Sequence, residues 1–457
     1  MTTLDERTVP DADIIDVLAE IAPGSPLEEW RGHRAQAKEN AQRSFVALLE
    51  PAAPGDFTHG QRYAVATFVA GLLSDESAST FYGDLLSDEY EDDSVIEALS
   101  GAVAAAQRTG PYGAYAPAPL AGESVAGQEY RVPGTAARVL GTRLVTALEY
   151  THMLVLHPRD AAPGRLQPLF DAGWDEDGIV SLGQLVSFLN FQIRLAGALR
   201  VLGENPGGDD RAGGGAGDAG GAGASAAGVS GGGTVGAGGD SDPADDPREE
   251  IPAGPVRVLE YPDLDRPQVF RQGGLDWVPW IAPPTEEELT ERQVESLVKP
   301  ERTKSAYFRL LARDPDALEA RTLTDLDIFF NFSDGLPSAE RELAATVASR
   351  LNGCLYCASI HSRRADQESE GRTEDIERLL AEGVGADLGS ERWNAVAAAA
   401  VAVTATPETF GPDHVERLRA AGLSDGEIID VINGAAFFNW ANRLMLSLGE
   451  PTPFRLG

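Results

Sequence analysis

An internal repeat constrains the fold of this chain more than any other feature of its sequence. The stretch LFDAGWDEDGIVSLGQLVSFLNFQIRLAGALRVLGENP, from Leu169, aligns without gaps through most of its length with LRAAGLSDGEIIDVINGAAFFNWANRLMLSLGEPTP, from Leu418. Self-similarity of this length indicates two copies of one structural unit. The paired identical residues are Gly173 and Gly422, Asn190 and Asn439, and Arg194 and Arg443.

Both copies have the sequence pattern of helices. Apolar residues recur at three and four positions, and alternating β-branched residues are few. The segment from Phe57 has the same apolar rhythm as the segment from Leu336. These patterns predict an all-α chain of two tandem helical domains, residues 1–202 and 255–457, packed with pseudo-twofold symmetry.

A Gly-rich segment separates the two predicted domains. Residues 203–254 contain few apolar side chains and many glycines, so folding them would cost backbone entropy that little burial could offset. We therefore expect a disordered linker. The first domain also carries a Gly/Pro-rich insertion, residues 109–134, that the second copy lacks.

The charge of the chain argues against nucleic acid as a partner. It has 37 basic and 72 acidic residues and a net charge of −35, whereas phosphate binding needs clustered Lys and Arg. Anionic membrane surfaces are disfavoured for the same reason. The N-terminal residues do not resemble a signal peptide, and no apolar run approaches the length that spans a bilayer. These observations predict a cytoplasmic protein.

The only two cysteines lie three residues apart, in the string NGCLYCASIH. The Asn352-Gly353 pair predicts the end of one helix, and the next opens with Cys354, Cys357 and His361 on one face. A thiolate at a helix N-terminus is stabilised by the helix dipole. We expect Ser338 to cap the preceding helix, with Glu342 in its first turn.

This group of residues supplies what peroxide reduction requires. A thiolate attacks one oxygen, a proton donor serves the departing group, and a second thiol condenses with the sulfenic acid. Cysteines one turn apart can close a disulfide, and an imidazole one turn further along can transfer protons near neutral pH.

The motif resembles that of the alkylhydroperoxidase-D family, in which a glutamate precedes a CxxC by twelve residues and a histidine follows it by four. Glu342, Cys354, Cys357 and His361 match this spacing. The two-copy chain also resembles bacterial fusion proteins with carboxymuconolactone-decarboxylase and alkylhydroperoxidase domains. The resemblance implies a thiol peroxidase with an alkylhydroperoxidase-type helical fold.

The same resemblance implies individual roles for these residues. Cys357 would be the peroxidatic cysteine, Cys354 the resolving one, and Glu342 with His361 a proton relay. No cofactor is implied; the disulfide would be reduced by an external dithiol, which in the family can be a lipoyl-bearing protein. Homo-oligomers are also implied. Tyr356 departs from members that have histidine before the second cysteine, which alters any relay through that position.

Other interpretations of the CxxC remain open. A zinc site would need a fourth ligand beyond the two cysteines and His361, a thioredoxin-like motif would need flanking strands, and a structural disulfide would close a very short loop. Two other functions are lactone acid–base chemistry of the carboxymuconolactone decarboxylase type, which needs no cysteine pair, and a non-enzymatic redox sensor or scaffold.

The first copy lacks the predicted chemistry, because Tyr63, Asp75, Ala78 and Tyr82 occupy the positions of the four site residues. Two further stretches have less specific interpretations. LDWVPWIAPP, from Leu275, is predicted to lie as an arm over a domain or a neighbouring subunit. Helix packing and capping are the main roles expected of Asn439, Trp440, Asn442 and Arg443, and shaping of the pocket is the alternative.

Overall fold

The computed structural model describes residues 13–90, 92–207, 254–333 and 335–454. Within these ranges the protein is all-α, as the apolar periodicity predicts, apart from one small sheet. Residues 208–253, which make up most of the predicted linker, lie outside the described residues.

The helices of the first half precede the linker. They are α1 (Ile14–Leu18), α2 (Pro26–Gly32), α3 (Ala35–Leu49), α4 (His59–Leu73), α5 (Glu76–Glu89), α6 (Asp93–Ala106), α7 (Gly134–Leu156), α8 (Gln167–Asp171) and α9 (Glu176–Glu204). Because α9 ends at Glu204, it includes the first residues of the predicted linker.

The second half repeats this order of long and short helices. They are α10 (Glu291–Ser296), α11 (Ala306–Leu311), α12 (Pro315–Phe330), α13 (Ser338–Asn352), α14 (Leu355–Gln367), α15 (Thr373–Glu382), α16 (Glu391–Thr404), α17 (Pro412–Ala420) and α18 (Asp425–Ser447). The same order of helices in the two halves supports the internal repeat. The domain boundaries drawn from it stay a prediction.

The long helices α9 and α18 begin in the same way in both halves. Gly173 and Gly422 have φ values of 87° and 86°, a left-handed conformation that glycine adopts without the steric cost of a side chain. Asp175 then caps α9 by accepting from the Gly178 N–H at 2.8 Å. Ser424 caps α18 in a capping box with Glu427.

These two helices pack against each other at the centre of the protein. Their contact is aromatic: Phe188 and Phe191 of α9 lie 5.1 and 5.4 Å, between ring centroids, from Trp440 of α18. Helix α9 is long and apolar enough to cross a membrane, but 83% of that apolar window is buried inside the protein. It therefore has the burial expected of a core helix.

Two equivalent arginines join the halves across this core. Arg194 of α9 donates to the carbonyl oxygen of Val403 at 2.9 Å, and Arg443 of α18 donates to that of Val155 at 2.9 Å. Both guanidinium groups are buried. Since each half supplies the carbonyl that the other half's arginine needs, the two halves support each other's structure.

The stretch predicted to be an arm, LDWVPWIAPP from Leu275, lies on the second half; below, the arm means residues 255–305, which include it. Its strand β1 (Leu275–Pro279) pairs antiparallel with β2 (Gly449–Pro453), and Leu275 is opposite Pro453. Trp277 Nε1 donates to the Met445 carbonyl at 3.0 Å, and the Trp280 N–H donates to that of Leu448 at 2.8 Å. The arm is thereby fixed to the end of α18.

A buried ion pair also links the halves. Arg34, just before α3, donates through Nε and Nη2 to both carboxylate oxygens of Asp430 on α18, at 2.8 and 2.7 Å. Both side chains are buried. Removing one member leaves the other charge buried without its partner, which costs far more than losing an exposed pair.

We therefore expect Arg34→Met to lower the free energy of unfolding by about 3–5 kcal/mol. Arg43→Met is the matched control, because Arg43 pairs with Glu319 at 3.2 Å but is 44% exposed; it should cost at most about 1 kcal/mol. Urea denaturation of the three proteins measures the difference. Equal losses in both variants would contradict the role of burial.

Candidate active site

The helix break before the cysteines forms as predicted. Helix α13 ends at Asn352, and Gly353 adopts a left-handed conformation with φ 84°. Its start differs from the prediction, because Pro337 occupies the N-cap and Ser338 is the first helical residue. The extended backbone at Pro337 (φ −52°, ψ 145°) precedes the helix, so Ser338 cannot serve as its cap. Glu342 consequently lies beyond the first turn.

The two cysteines lie at the start of α14. Cys354 is the N-cap residue, and Cys357 lies within the first turn. Both are free and buried, with 1% and 5% of their surfaces exposed. The Cys354 N–H donates to the Ser349 carbonyl at 2.9 Å, which ties the start of α14 to α13.

Burial determines the resting state of the Cys357 thiol. It raises the pKa of Cys357 well above its ordinary value, and the adjacent Cys354 raises it further. A hydrogen bond with Asn442 and the charge of Arg321 act in the opposite direction but are weaker. Cys357 is therefore a neutral thiol at neutral pH, and its reaction as a nucleophile requires a base.

Glu342 and His361 form a carboxylate–imidazole pair next to this thiol along α14. His361 Nδ1 lies 2.5 Å from Glu342 Oε2. The Glu342 side chain is 3% exposed and that of His361 is 12% exposed. Because an ionised carboxylate can only accept, Nδ1 carries the proton and Nε2 of a neutral ring is left as the basic nitrogen.

Aromatic rings and one cation surround the pair. The His361 ring lies 4.2 Å from the Phe438 ring and 5.9 Å from that of Phe329, between centroids. Arg364 Nη1 lies 3.5 Å from Glu342 Oε1. The packing fixes the orientation of the imidazole, and the arginine is a partner for the buried carboxylate.

The structure brings the four predicted residues together in part. Glu342 contacts His361, and Cys354 contacts Cys357. His361 lies one helical turn after Cys357, and residues at this helical spacing have Cβ atoms about 6 Å apart. Among the described residues, neither sulfur makes a direct hydrogen bond to Glu342 or His361. Proton transfer between the two pairs would therefore need a bridging group or a side-chain movement.

Asn442 contacts a site residue directly, whereas helix packing was the main role expected of it. Besides Cys357, it contacts Ser349 and Asn352 through hydrogen bonds of 3.0 Å each. Asn352 also donates to Asn439 Oδ1 at 3.2 Å. The Asn442–Ser349 and Asn442–Asn352 bonds hold α18 against α13 at the level of the cysteines.

Sequence reasoning missed Tyr307 and Arg321. Arg321 lies on α12, and its charge lowers the pKa of Cys357. Tyr307 lies on α11, and the two cysteines contribute to the raised pKa of its phenol. Neither has a fixed spacing to the CxxC. The one available signal concerned Arg321, which is a single arginine on a helix face that is otherwise buried. No comparable signal pointed to Tyr307.

The arm packs against α14, the helix that the cysteines open. Ser359 of α14 donates through Oγ to the Gly273 carbonyl at 2.5 Å, and the Gly273 N–H donates back to the Ser359 carbonyl at 3.3 Å. Trp277 of β1 packs edge-on against Tyr307 at 5.3 Å. Of the two locations expected for the arm, the structure has the one on a domain of the same chain.

No group of three or more His, Cys, Asp or Glu side chains in the described ranges is placed to hold a metal ion. The fold and the site thus define a helical protein with a buried pair of free cysteines beside a carboxylate–imidazole pair.

Residues 315–402 match the model of the carboxymuconolactone decarboxylase family. The matched segment contains Glu342, Cys354, Cys357 and His361. A comparison with curated proteins gives no significant match. Tyr307 lies before the matched segment and Asn442 after it.

The raised pKa of Cys357 predicts a specific pH dependence of its alkylation. In the Cys354→Ser protein, burial still disfavours the thiolate. The pH midpoint for modification of Cys357 by iodoacetamide should therefore lie above that of an ordinary thiol, which is about 8.5. The rate is measured by mass spectrometry from about pH 6 to about pH 11, with the urea-unfolded protein as control. A folded-state midpoint at or below the unfolded one would contradict the assignment.

Proposed function

We propose that this protein is a thiol peroxidase that reduces hydroperoxides through a Cys354/Cys357 dithiol–disulfide cycle. The observation that carries the proposal is the placement of two free cysteines at the start of α14, one turn before a histidine that is bonded to a buried glutamate. A carboxymuconolactone decarboxylase family segment is compatible with this activity and with lactone chemistry.

The geometry supports a division of roles. Because Cys357 rests as a neutral thiol, the Glu342–His361 pair is proposed as the base that removes its proton. Cys357 then attacks the terminal peroxide oxygen, and Cys354 condenses with the resulting sulfenic acid. The assignment of Cys357 as the attacking residue comes from the family resemblance.

The remaining parts of the cycle are also proposals. An external dithiol, such as a lipoyl group on a partner protein, would reduce the disulfide, so that no bound cofactor is needed. We propose a cytoplasmic protein that forms homo-oligomers, in which the degenerate first domain takes the place of a second subunit.

Two cysteine variants test the cycle. Wild-type protein should turn over hydroperoxide with dihydrolipoamide as donor. Cys354→Ser should consume about one equivalent, trap a sulfenic-acid probe on Cys357 and stop, because no second thiol can condense. Cys357→Ser should neither consume peroxide quickly nor trap the probe. Stopped-flow peroxide consumption and mass spectrometry of the labelled peptide measure both outcomes.

The other outcomes separate the alternatives. Labelling of Cys354 at wild-type speed in Cys357→Ser would exchange the two roles and leave the peroxidase activity intact. Stoichiometric consumption without turnover by any dithiol would favour a redox sensor. Lactone decarboxylation that survives Cys357→Ser would replace the proposal with the acid–base function.

The chain offers a matched test of the base. Glu342→Gln keeps the size of the side chain but removes the carboxylate that orients and charges His361, so kcat/KM for peroxide should fall by about 10²–10⁴-fold. Glu340→Gln, on the same helix, breaks a pair with Arg392 at 2.7 and 2.8 Å and leaves His361 untouched. It should lower stability and leave kcat/KM near the wild-type value.

Equal kinetic losses in the two glutamate variants would show that Glu342 supports the fold of α13 and not proton transfer. Thermal unfolding of both proteins, recorded alongside the kinetics, separates a loss of active molecules from a loss of rate.

A further inference from the structure

An arginine of the first half reaches the end of α13, just before the cysteines. Arg159 lies in a short 3₁₀ turn after α7, Pro158–Asp160, and its Nη2 donates to the Leu351 carbonyl at 2.5 Å. Leu351 is in the last turn of α13, where backbone carbonyl groups have no partner within the helix. The first half therefore supplies a hydrogen-bond donor that α13 itself lacks at this position.

The Arg159 side chain also lies against Gly353, the residue that separates α13 from Cys354. A Cβ atom added to Gly353 would be 3.1 Å from Arg159 Cβ, 3.3 Å from Arg159 Nε and 3.2 Å from Tyr115 Cε1. The Arg159 guanidinium is held in turn by the Tyr115 ring, whose centre is 4.7 Å away. The left-handed turn at Gly353 is thus packed against two side chains of the first half.

The Gly/Pro-rich insertion of the first half carries Tyr115 and makes a second contact with α13. Glu123, at the end of a 3₁₀ turn in the insertion, pairs with the buried Arg350 at 2.7 Å. The Arg350 guanidinium also lies 4.1 Å from the centre of the Phe270 ring, which belongs to the arm. The insertion and the arm therefore meet at the end of α13. We call Tyr115, Glu123 and Arg159 the clamp.

Cys354 depends on this turn more than Cys357 does. The Cys354 N–H donates back to α13, to the Ser349 carbonyl at 2.9 Å, while the Cys354 carbonyl accepts from the Ala358 N–H of α14 at 3.0 Å. Cys354 is therefore bonded to both helices, whereas Cys357 lies within α14. A shift of the turn moves the Cys354 sulfur relative to the Cys357 sulfur.

We propose, on the basis of the peroxidase function proposed above, that Arg159 is a positioning residue that holds Cys354 for the step in which the disulfide forms. The other two residues of the clamp keep Arg159 and the end of α13 in place. The first half, which lacks the four site residues, thereby contributes to the chemistry of the second half.

The step that Arg159 serves is the condensation of the two sulfurs. The Cys354 sulfur attacks the sulfur of the Cys357 sulfenic acid, and the S–S bond forms with an electron pair from Cys354. The S–O bond breaks, and its electron pair leaves with hydroxide, which takes the proton of the Cys354 thiol to give water. One thiol and one sulfenic acid therefore give one disulfide and one water, and no further reactant is needed.

The two steps of the cycle differ in how they depend on Cys354. Attack on the peroxide uses the Cys357 sulfur alone. Disulfide formation joins two groups held by the same chain, and a misplacement of about 1 Å can slow such a reaction by about 10²-fold. Loss of the clamp should therefore slow the second step and spare the first.

The test follows both steps in the Arg159→Met protein, which keeps an unbranched side chain and loses the guanidinium. In a single turnover with hydrogen peroxide, the Cys357 sulfenic acid should form at a rate near wild type, whereas disulfide formation should slow by about 10-fold to 10²-fold. Arg159→Lys keeps a cation and a hydrogen-bond donor and should restore part of the rate. Rapid quenching with a sulfenic-acid probe, followed by mass spectrometry, measures both species.

Arg143→Met is the matched control, because Arg143 makes the same kind of contact at a different turn. Its Nη1 donates to the Gly173 carbonyl at 2.5 Å, and its guanidinium lies 4.2 Å from the centre of the Trp174 ring. Gly173 is also left-handed, with φ 87°, but its turn precedes α9 and not α14. Both steps should therefore run near the wild-type rate in this variant.

Amide exchange gives a second readout that needs no peroxide. Without Arg159 the turn should open more often, so deuterium exchange in the peptide that contains Gly353 and Cys354 should be faster in Arg159→Met. Exchange in Arg143→Met should match the wild type at this peptide. Equal exchange in all three proteins would overturn the proposal.

The kinetic outcomes separate positioning from general stability. Equal slowing of both steps in Arg159→Met would make Arg159 a structural residue and overturn the proposal, as would a wild-type rate of disulfide formation. If Arg159→Met does not fold, Tyr115→Leu removes the ring that holds the guanidinium, and unchanged disulfide formation in that variant would overturn it. If wild-type protein forms no sulfenic acid, the proposed peroxidase function itself fails, whereas amide exchange still judges the contact between Arg159 and the turn.

Discussion

The structure depends on burying α9 and α18 against each other, because these two helices carry Trp440, several buried phenylalanines and two buried arginines. Each arginine donates to a carbonyl oxygen of the other half, so each half supplies an acceptor for the other's buried cation. This mutual dependence places α18 firmly against α13. It also brings Phe438 onto His361 and Asn442 onto Cys357. The site is consequently built on the rigid centre of the protein.

In the proposed chemistry, burial has opposite effects on Cys357 and on the Glu342–His361 pair. It favours the neutral form of Cys357, which protects a thiol that would otherwise react with any oxidant. The same burial strengthens the interaction between Glu342 and His361 and holds the imidazole in one orientation. The arm packs beside this site, since Gly273 is hydrogen-bonded to Ser359 of α14 and the Trp277 ring contacts that of Tyr307. A segment from outside the matched family region thus packs against the helix that carries the two cysteines.

Several features of the site could be predicted from local sequence. The CxxC with His361 one turn later requires one helix face, and Asn352-Gly353 requires a break, because both depend on helical geometry within a few residues. The cap at Ser338 was wrong, since the preceding proline already sets the extended conformation from which α13 begins. The predicted linker falls mostly outside the described residues, and the exact domain boundaries remain a prediction.

The sequence by itself determined the helical class, the spacing of Glu342, Cys354, Cys357 and His361, and the repeat that pairs Arg194 with Arg443. These features follow from periodicity and identity along the chain. Only the tertiary structure decided that Cys357 is a buried neutral thiol, that Asn442 and Arg321 act on it, and that the arm packs against α14. The physical reason is that burial and electrostatic environment depend on which distant segments pack together, and no local spacing encodes that packing.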